Sequence, residues 1–263
     1  MVEDTILVEK SEGIATVTFN RPERLNALTS EMMGQTIPNL WPALQEDKEV
    51  KVVILTGAGD RAFSSGMDVK EAAQRSPQYR STGRGNLGLT PRAQNFTKPF
   101  IAAVNGLCGG VGLAFIADAD IAIAAEHAYI FNPGVTIGQL AMYAPVTWAQ
   151  WVPFQSLMRM VLVGNQEQIT AQRAQELGMV TEVVPSDELL PRAREIAAMI
   201  ANNSPTAVRY AKRIMWDTLD RGLQEGLAQA QHLMGDYSGH PDSSEGPRAL
   251  VEKRKPEWTA VDD

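Results

Sequence analysis

The chain predicts an α/β fold with a helical tail. Three observations carry that expectation. Apolar strand-like runs are concentrated in its first half, two of them end in glycine turns that open helices, and helical patterns dominate from about residue 146 onward.

Residues 5–10 and 14–19 alternate around Ser11-Glu12-Gly13 and read as a β-hairpin. Thr29 or Ser30 can cap a helix running to about Asp47, but Pro38 and Pro42 fall inside it. An interior proline costs about 3 kcal/mol, so a kink or break is expected there. A strand over 51–56 leads to the turn Ser65-Gly66-Met67 and a short helix with Asp68 and Glu71 in its first turn. Residues 75–91, rich in Arg, Ser, Gly and Pro, are expected to be the least ordered stretch, a loop covering the site or disordered. The apolar strand Phe100–Val104 then meets Asn105-Gly106, and Gly109, Gly110 and Gly112 open a buried helix. Short strands are expected at 120–124 and 129–131, and helices at about 146–162, 169–178, 187–202, 205–219 and 221–236.

Bulk properties exclude several function classes. A chain of 263 residues, 44% hydrophobic and 21% charged, is long enough for a sizeable core. Its net charge is -7 and its only basic run is Lys253-Arg254-Lys255, which argues against a nucleic-acid partner. The single cysteine, Cys108, rules out an internal disulfide framework and, with apolar flanks, reads as a buried structural thiol. No apolar run approaches the roughly 20 residues of a membrane span, and no Cys/His cluster points to a metal. The acidic start, Met1 to Thr5, is neither a signal nor a transit peptide, so a cytoplasmic protein with no membrane partner is expected.

The two glycine junctions carry the chemistry. A strand–glycine–helix turn leaves backbone N–H groups unpaired at a helix start, where the dipole favours negative charge, and the glycines admit close approach. Two such turns facing each other would form an oxyanion hole. Neither has the spacing of a dinucleotide site or a phosphate-binding loop with its Lys-Ser/Thr. The plain alternative is a helix packed against a sheet.

Four segments stand in a distinctive order: Phe19-Asn20-Arg21-Pro22 through Leu28, Arg61 through Glu71, Lys98 through Phe115, and Glu245 through Pro256. In that order and at those distances they resemble the crotonase (enoyl-CoA hydratase/isomerase) family, and the resemblance covers Ile6 to Trp258. It implies a spiral of ββα turns over residues 1–195 and a C-terminal helical region, 196–263, that packs into a homotrimer or hexamer. It also implies an acyl-CoA ligand, with the coenzyme A thioester as substrate and no covalently bound cofactor. The thioester oxygen is then held by the backbone N–H groups of Met67 and Val111. Arg24 and Leu25 map near the CoA pyrophosphate, the backbone of Ser65, Met67, Asp68 and Val69 near the adenine, and Lys253 onto a lysine that reaches a neighbouring subunit's CoA. For Arg24 and Lys253 the alternative is a solvated surface charge.

The departures matter as much as the matches. The family's two catalytic glutamates map to Ala114 and Gly134, so neither usual acid/base is present. Each positioned acid or base is worth about 10²–10⁴ in rate, so ordinary hydration is expected to be crippled. Decarboxylation or retro-aldol cleavage would tolerate the loss better. A dehalogenase branch fails because its nucleophilic aspartate maps near Met142. Tyr143 is the candidate substitute proton donor; Asn132 and Gln139 could orient water but more simply satisfy backbone groups. Asp118 and Asp120 read as structural, at a helix end and a strand start. His127, His232 and His240 lack a partnered serine motif, which argues against a hydrolase triad. Met67, Phe115, Met142, Trp148 and Trp151 are candidates for an apolar acyl pocket, with ordinary core packing the simpler reading. Two functions follow as expectations: an acyl-CoA lyase or isomerase with non-standard proton transfer, or a CoA-thioester-binding protein without turnover, acting as a sensor or a subunit of a mixed oligomer.

Overall fold

A computed structural model describes residues 5–73 and 88–259. The expected loop at 75–91 falls mostly outside them. Strands β1 (Ile6–Ser11) and β2 (Ile14–Phe19) form the antiparallel hairpin, with Ile6 opposite Phe19 and Ser11 opposite Ile14. A six-stranded sheet continues from it in the order β1-β2-β3-β5-β7-β10, with β3 at Val52–Gly57, β5 at Phe100–Val104, β7 at Ile121–Ala125 and β10 at Glu182–Val184. From β2 onward every pairing is parallel. Strands β3 and β5 are buried along their whole length. A parallel strand covered on both faces needs a continuous apolar run, and Val52–Leu55 and Phe100–Val104 supply one.

A second sheet, β4-β6-β8-β9, stands beside the first, built from Ala62–Ser64, Leu107–Gly109, Tyr129–Phe131 and Ile169–Thr170. The two sheets are filled alternately. β3, β5 and β7 enter the large sheet, and after each the chain turns a corner into β4, β6 or β8 of the small one. Helix α2 (Val69–Ala73) follows β4 and helix α3 (Gly112–Ala117) follows β6. This is the ββα spiral with a helical C-terminal region. Its repeat is invisible in the sequence because the second strand of each turn is only three residues long.

Two of these corners are stitched to the segment before them by a buried asparagine. Asn26 Nδ2 donates to Ala58 O (3.0 Å) and Ala62 O (2.7 Å). Asn105 Nδ2 donates to Gly57 O (2.9 Å) and Gly59 O (2.7 Å), while its Oδ1 accepts from Gly57 N (3.0 Å). At Gly106 a Cβ would sit 2.5 Å from Arg61 O, so only glycine lets successive corners approach this closely.

The helix expected from Thr29 to Asp47 forms in two parts. Thr29 Oγ1 caps it by accepting from Met32 N (3.1 Å), but Met32–Thr36 is a π-helical stretch and the α-helix proper, α1, is Ile37–Glu46. Pro38 thereby falls in the first turn of α1, directly after the π-helical stretch. Pro42 stays inside α1. The single helix expected at 146–162 is two, α4 (Tyr143–Trp148) and α5 (Phe154–Val163), separated at Pro153. After α6 (Ala171–Glu176), helix α7 (Leu189–Ala201) buries Leu189, Ala193, Ala197 and Ala201 at four-residue spacing against the large sheet. These small side chains admit a close approach, and position 195 lies inside this sheet-packed helix. Helices α8 (Pro205–Leu219) and α9 (Leu223–Ser238) pack on each other, and α10 (Asp242–Glu252) follows.

The segment after α10 is anchored by two buried carboxylates. Glu245 accepts from Arg254 Nη1 (2.5 Å), from Glu257 N (2.9 Å) and from Arg248, while Asp242 accepts from Thr259 N (2.8 Å) and from Ser204. The Arg254 guanidinium, with the Glu257 N–H, holds the Glu245 carboxyl far below the usual carboxylate range. A lowered folded-state pKa stabilises the docked segment fully above the ordinary glutamate range, and that stabilisation is lost progressively as pH falls below that range. Glu245→Gln is expected to speed hydrogen exchange at the Glu257 and Thr259 amides at neutral pH, with the Phe100–Val104 amides unchanged. Equal protection in the variant would show that the segment is held by other contacts.

Candidate active site

The site grows from the corner after β4. Ser65 N donates to Leu25 O (2.9 Å), Leu28 N to Gly66 O (2.7 Å) and Asp68 N to Leu28 O (2.9 Å), making a short parallel bridge between Leu28 and Met67. In such a bridge Leu28 occupies one edge of the 66–68 strand, and the Met67 N–H points to the other. Ser64 Oγ fixes the turn from inside, donating to Asn26 O (2.9 Å) and accepting from Gly66 N (3.2 Å).

On that other edge lies the second glycine turn. A Cβ at Gly66 would meet Gly109 O at 2.8 Å, Gly110 Cα at 3.3 Å and Val111 N at 3.3 Å, and Gly66 has φ +98°. A Cβ at Gly110, which has φ +57°, would meet Gly66 Cα at 3.6 Å and Pro133 Cγ at 3.7 Å. Three loops therefore converge: 65–67, 109–111 and 132–134. Among the described residues, the N–H groups of Met67 and Val111 have no protein acceptor. Helix α3 has six residues, so its dipole is small and the site depends on the turn geometry itself.

The chain places Arg24, Leu25, Ser65, Met67, Asp68 and Val69 on the two segments joined by the Leu28–Met67 bridge. Arg24 is exposed at the end of a 3₁₀ turn and Leu25 is left-handed, with φ +52°. Arg21 locks the two segments together, reaching Ala27 O (2.6 Å) and Asp68 Oδ2 (3.2 Å). Burial of Asp68 works against its charge, but the Glu71 N–H and Arg21 hold its carboxyl below the usual value. Lys253 is exposed on the left-handed cap of α10. Among the described residues, no hydrogen bond or ion pair ties it to either segment.

Ala114 is buried in α3, and Gly134 opens the 3₁₀ turn Val135–Ile137. Asn132 organises that loop, donating to Ala141 O (2.8 Å) and accepting from Gly134 N (3.0 Å), the backbone role expected of it. A Cβ at Gly134 would lie 2.9 Å from both Ala141 N and Gln139 O. A side chain there requires the loop to move, so grafting a glutamate onto 134 does not simply restore an acid.

The five apolar residues grouped as an acyl pocket separate. Phe115 and Trp148 are fully buried core, with Phe115 edge-on to Phe19 at 5.2 Å, while Met67, Met142 and Trp151 are exposed. Two cavities lie away from the glycine turns: one of about 240 Å³ lined by Lys51, Lys98 and Trp258, and one of about 550 Å³ lined by Trp151, Met215 and Trp216. Cys108 is buried, and burial pushes its thiol far up. His127 contacts Ser186 Oγ (2.7 Å) and Asp60 O (2.8 Å), an exposed pair with a backbone carbonyl where a triad needs a carboxylate.

Tyr143 is the candidate proton donor from the sequence, and its partners are what the sequence does not show. Its hydroxyl donates to Asp118 Oδ2 (2.7 Å), which also accepts from Thr90 Oγ1. The Asp118 side chain is wholly buried and Arg92 Nη1 lies 3.9 Å from its Oδ1. Burial pushes the Asp118 carboxyl up, against the pull of Thr90, Tyr143, Arg92 and Lys212, and burial together with the Asp118 charge pushes the Tyr143 phenol up to about 12.

Comparison with known proteins fits this geometry. The sequence profile described as enoyl-CoA hydratase/isomerase matches residues 9–261. The chain belongs to the enoyl-CoA hydratase/isomerase family. It is 33% identical to the 2,3-dehydroadipyl-CoA hydratase of Escherichia coli, covering 96% of this chain and 98% of that one. It is 32% identical to the probable enoyl-CoA hydratase echA8 of Mycobacterium bovis, covering 98% and 99%. The solved enoyl-CoA hydratase/isomerase from Mycobacterium paratuberculosis is 37% identical and superposes with a TM-score of 0.88, covering 98% and 99%. Among the described residues of this family member, no helix is long and apolar enough to cross a membrane, and no group of His, Cys, Asp and Glu could hold a metal.

Proposed function

We propose that this chain is an acyl-CoA lyase or isomerase that stabilises a thioester enolate between the N–H groups of Met67 and Val111. The observation that carries the reading is the pair of unpaired N–H groups on two glycine turns in contact, in a fold whose relatives are enoyl-CoA hydratases. When a base removes an α-proton, charge moves from Cα to the thioester oxygen. Two fixed N–H dipoles favour the charged state over the neutral thioester, and one such donor is worth about 10²–10³ in rate. Arg24, Leu25, Ser65, Asp68 and Val69 line the approach for the CoA portion, and Lys253 adds positive charge from a neighbouring subunit. With Ala114 and Gly134 at the positions of the usual glutamates, Tyr143 is the proton donor. Exposed apolar residues such as Leu140, Val146, Phe154 and Leu162 fit packing into a homotrimer or hexamer in a reducing, cytoplasmic compartment.

The test is a panel of enoyl-, β-hydroxyacyl- and malonyl-type CoA thioesters, with products followed by mass spectrometry and binding by calorimetry. Turnover of any member supports the enzyme. Ala114 and Gly134 favour a second reading, a CoA-thioester-binding protein without turnover, which binding across the panel with no product would establish. No binding at millimolar concentration overturns both.

A further inference from the structure

Asp118 and Thr90 were not among the residues that the sequence singled out for chemistry, yet the fold brings them to Tyr143. Asp118 is the cap of α3, four residues past Ala114, and its N–H donates to Ala114 O (3.0 Å). Residues four apart share a helix face, about 5–6 Å between Cβ atoms. The carboxylate that is missing at 114 is thus matched by one a single turn deeper, and Tyr143, at the start of α4 packed on α3, covers it.

The details are those of a proton carrier more than of a structural cap. A structural aspartate at a helix end normally has both oxygens satisfied. Here Oδ2 takes both hydroxyls and Oδ1 is buried with no hydrogen-bond partner. The charged groups facing it are limited. Arg92 stands 3.9 Å away and is shared with Asp220, and its guanidinium lies over the Trp216 ring. Lys212 is committed to Asp120 at 2.8 Å. Burial thus works against the Asp118 charge while one of its oxygens is left without a hydrogen bond, and Tyr143, only partly buried, is its outlet.

We propose that Asp118, steadied by Thr90, exchanges a proton with the substrate α-carbon through the Tyr143 hydroxyl. In the forward direction the Cα–H bond breaks and its proton goes to the Tyr143 oxygen. The phenolic proton moves at the same time to Asp118 Oδ2, and the electron pair passes to the thioester oxygen. A carboxylate and a thioester become a carboxylic acid and an enolate, with tyrosine neutral throughout. The reverse delivers the proton to Cα. Tyr143 is the residue that touches substrate; Asp118 and Thr90 position it and hold the proton. This relay rests on the enolate-stabilising function proposed above.

The test is exchange of the α-protons of butyryl-CoA in D₂O, followed by mass spectrometry and needing no net reaction. Wild type is expected to exchange well above buffer. Asp118→Asn and Tyr143→Phe are each expected to lose about 10²-fold or more, with the double variant no worse than either, and with butyryl-CoA affinity by calorimetry within a few fold of wild type. The forward limb requires Asp118 ionised, so the exchange rate rises with pH through the Asp118 titration. Arg92→Met, which removes the nearest positive charge, is expected to move that limb to higher pH. Affinity retained with exchange unchanged in Asp118→Asn overturns the relay and leaves the function standing. The relay is equally overturned by a wild type that binds butyryl-CoA without exchanging it. A wild type that does not bind overturns the function itself.

Discussion

Replacing Gly66 by alanine is expected to abolish measurable turnover while leaving the sheets intact. Two costs act together. Gly66 has φ +98°, a conformation that an L-residue adopts at a cost on the order of 1–3 kcal/mol. The new methyl also meets Gly109 O at 2.8 Å and Gly110 Cα at 3.3 Å, both backbone atoms that cannot swing aside. The turns must part, and the Met67 and Val111 N–H groups part with them. Losing one donor from a charge-stabilising pair costs about 10²–10³ in rate. Gly138→Ala separates the two effects, because Gly138 also has positive φ (+67°) but nothing within 4 Å of a Cβ. It is expected to lower the melting temperature with thioester binding and turnover kept. If Gly66→Ala turns over as well as Gly138→Ala does, the two turns do not form the site.

Much of this arrangement is legible in the sequence. The buried parallel strands announce themselves as unbroken apolar runs, and the glycine turns at 66 and 109–112 as punctuation between strand and helix. What escapes is what has no local signature. Strands of three residues, Ala62–Ser64 and Leu107–Gly109, are too short to show a period of two, so the second sheet and the spiral cannot be read directly. Helix Asp242–Glu252 carries Gly246 and Pro247, and no helix is expected there from the sequence. Prolines mislead in both directions. Pro38 signals a break that the π-helical stretch before it absorbs, whereas Pro153 caps the start of a new helix where the apolar pattern reads as one continuous helix.

The candidate site divides along the same line. Glycines mark the two turns in the sequence, the resemblance maps oxyanion donors onto Met67 and Val111 within them, and the structure brings those turns into contact. Ser64, Asn26 and Asn105, which hold those turns, lie among apolar residues and reach backbone atoms 32 to 48 positions away. Asp118 is hidden for a related reason. An acidic residue at the end of a short helix looks like a cap, and only the meeting of three separate segments shows it to be buried with Thr90 and Tyr143. Sequence spacing marks the backbone turns of the candidate site more readily than its buried side chains, because glycine constrains the local chain and a buried carboxylate does not.

The same logic gives the largest expected effect on stability, at Asn105. Its amide donates to Gly57 O and Gly59 O, accepts from Gly57 N, and lies 3.4 Å from Thr56 Oγ1, all from a buried position. Asn105→Ala removes every one of these bonds in a corner where a Cβ at the adjoining Gly106 would already lie 2.5 Å from Arg61 O. Each buried backbone group left without a partner costs about 1–3 kcal/mol. With two or three affected, a loss of about 3–5 kcal/mol is expected, a large part of the total stability of an ordinary domain. Chemical denaturation measures it directly as a lowered midpoint with an unchanged slope. Asn105→Asp tests which half of the amide matters. It keeps the acceptor for Gly57 N but turns a second oxygen toward two carbonyls, so at neutral pH it is expected to be no more stable than the alanine variant. A stable aspartate variant would mean that the donor bonds to the preceding corner are dispensable. The registration of one turn of the spiral on the next, and with it the contact between the two glycine turns, would then have to come from strand pairing and the Asn26 and Ser64 bonds.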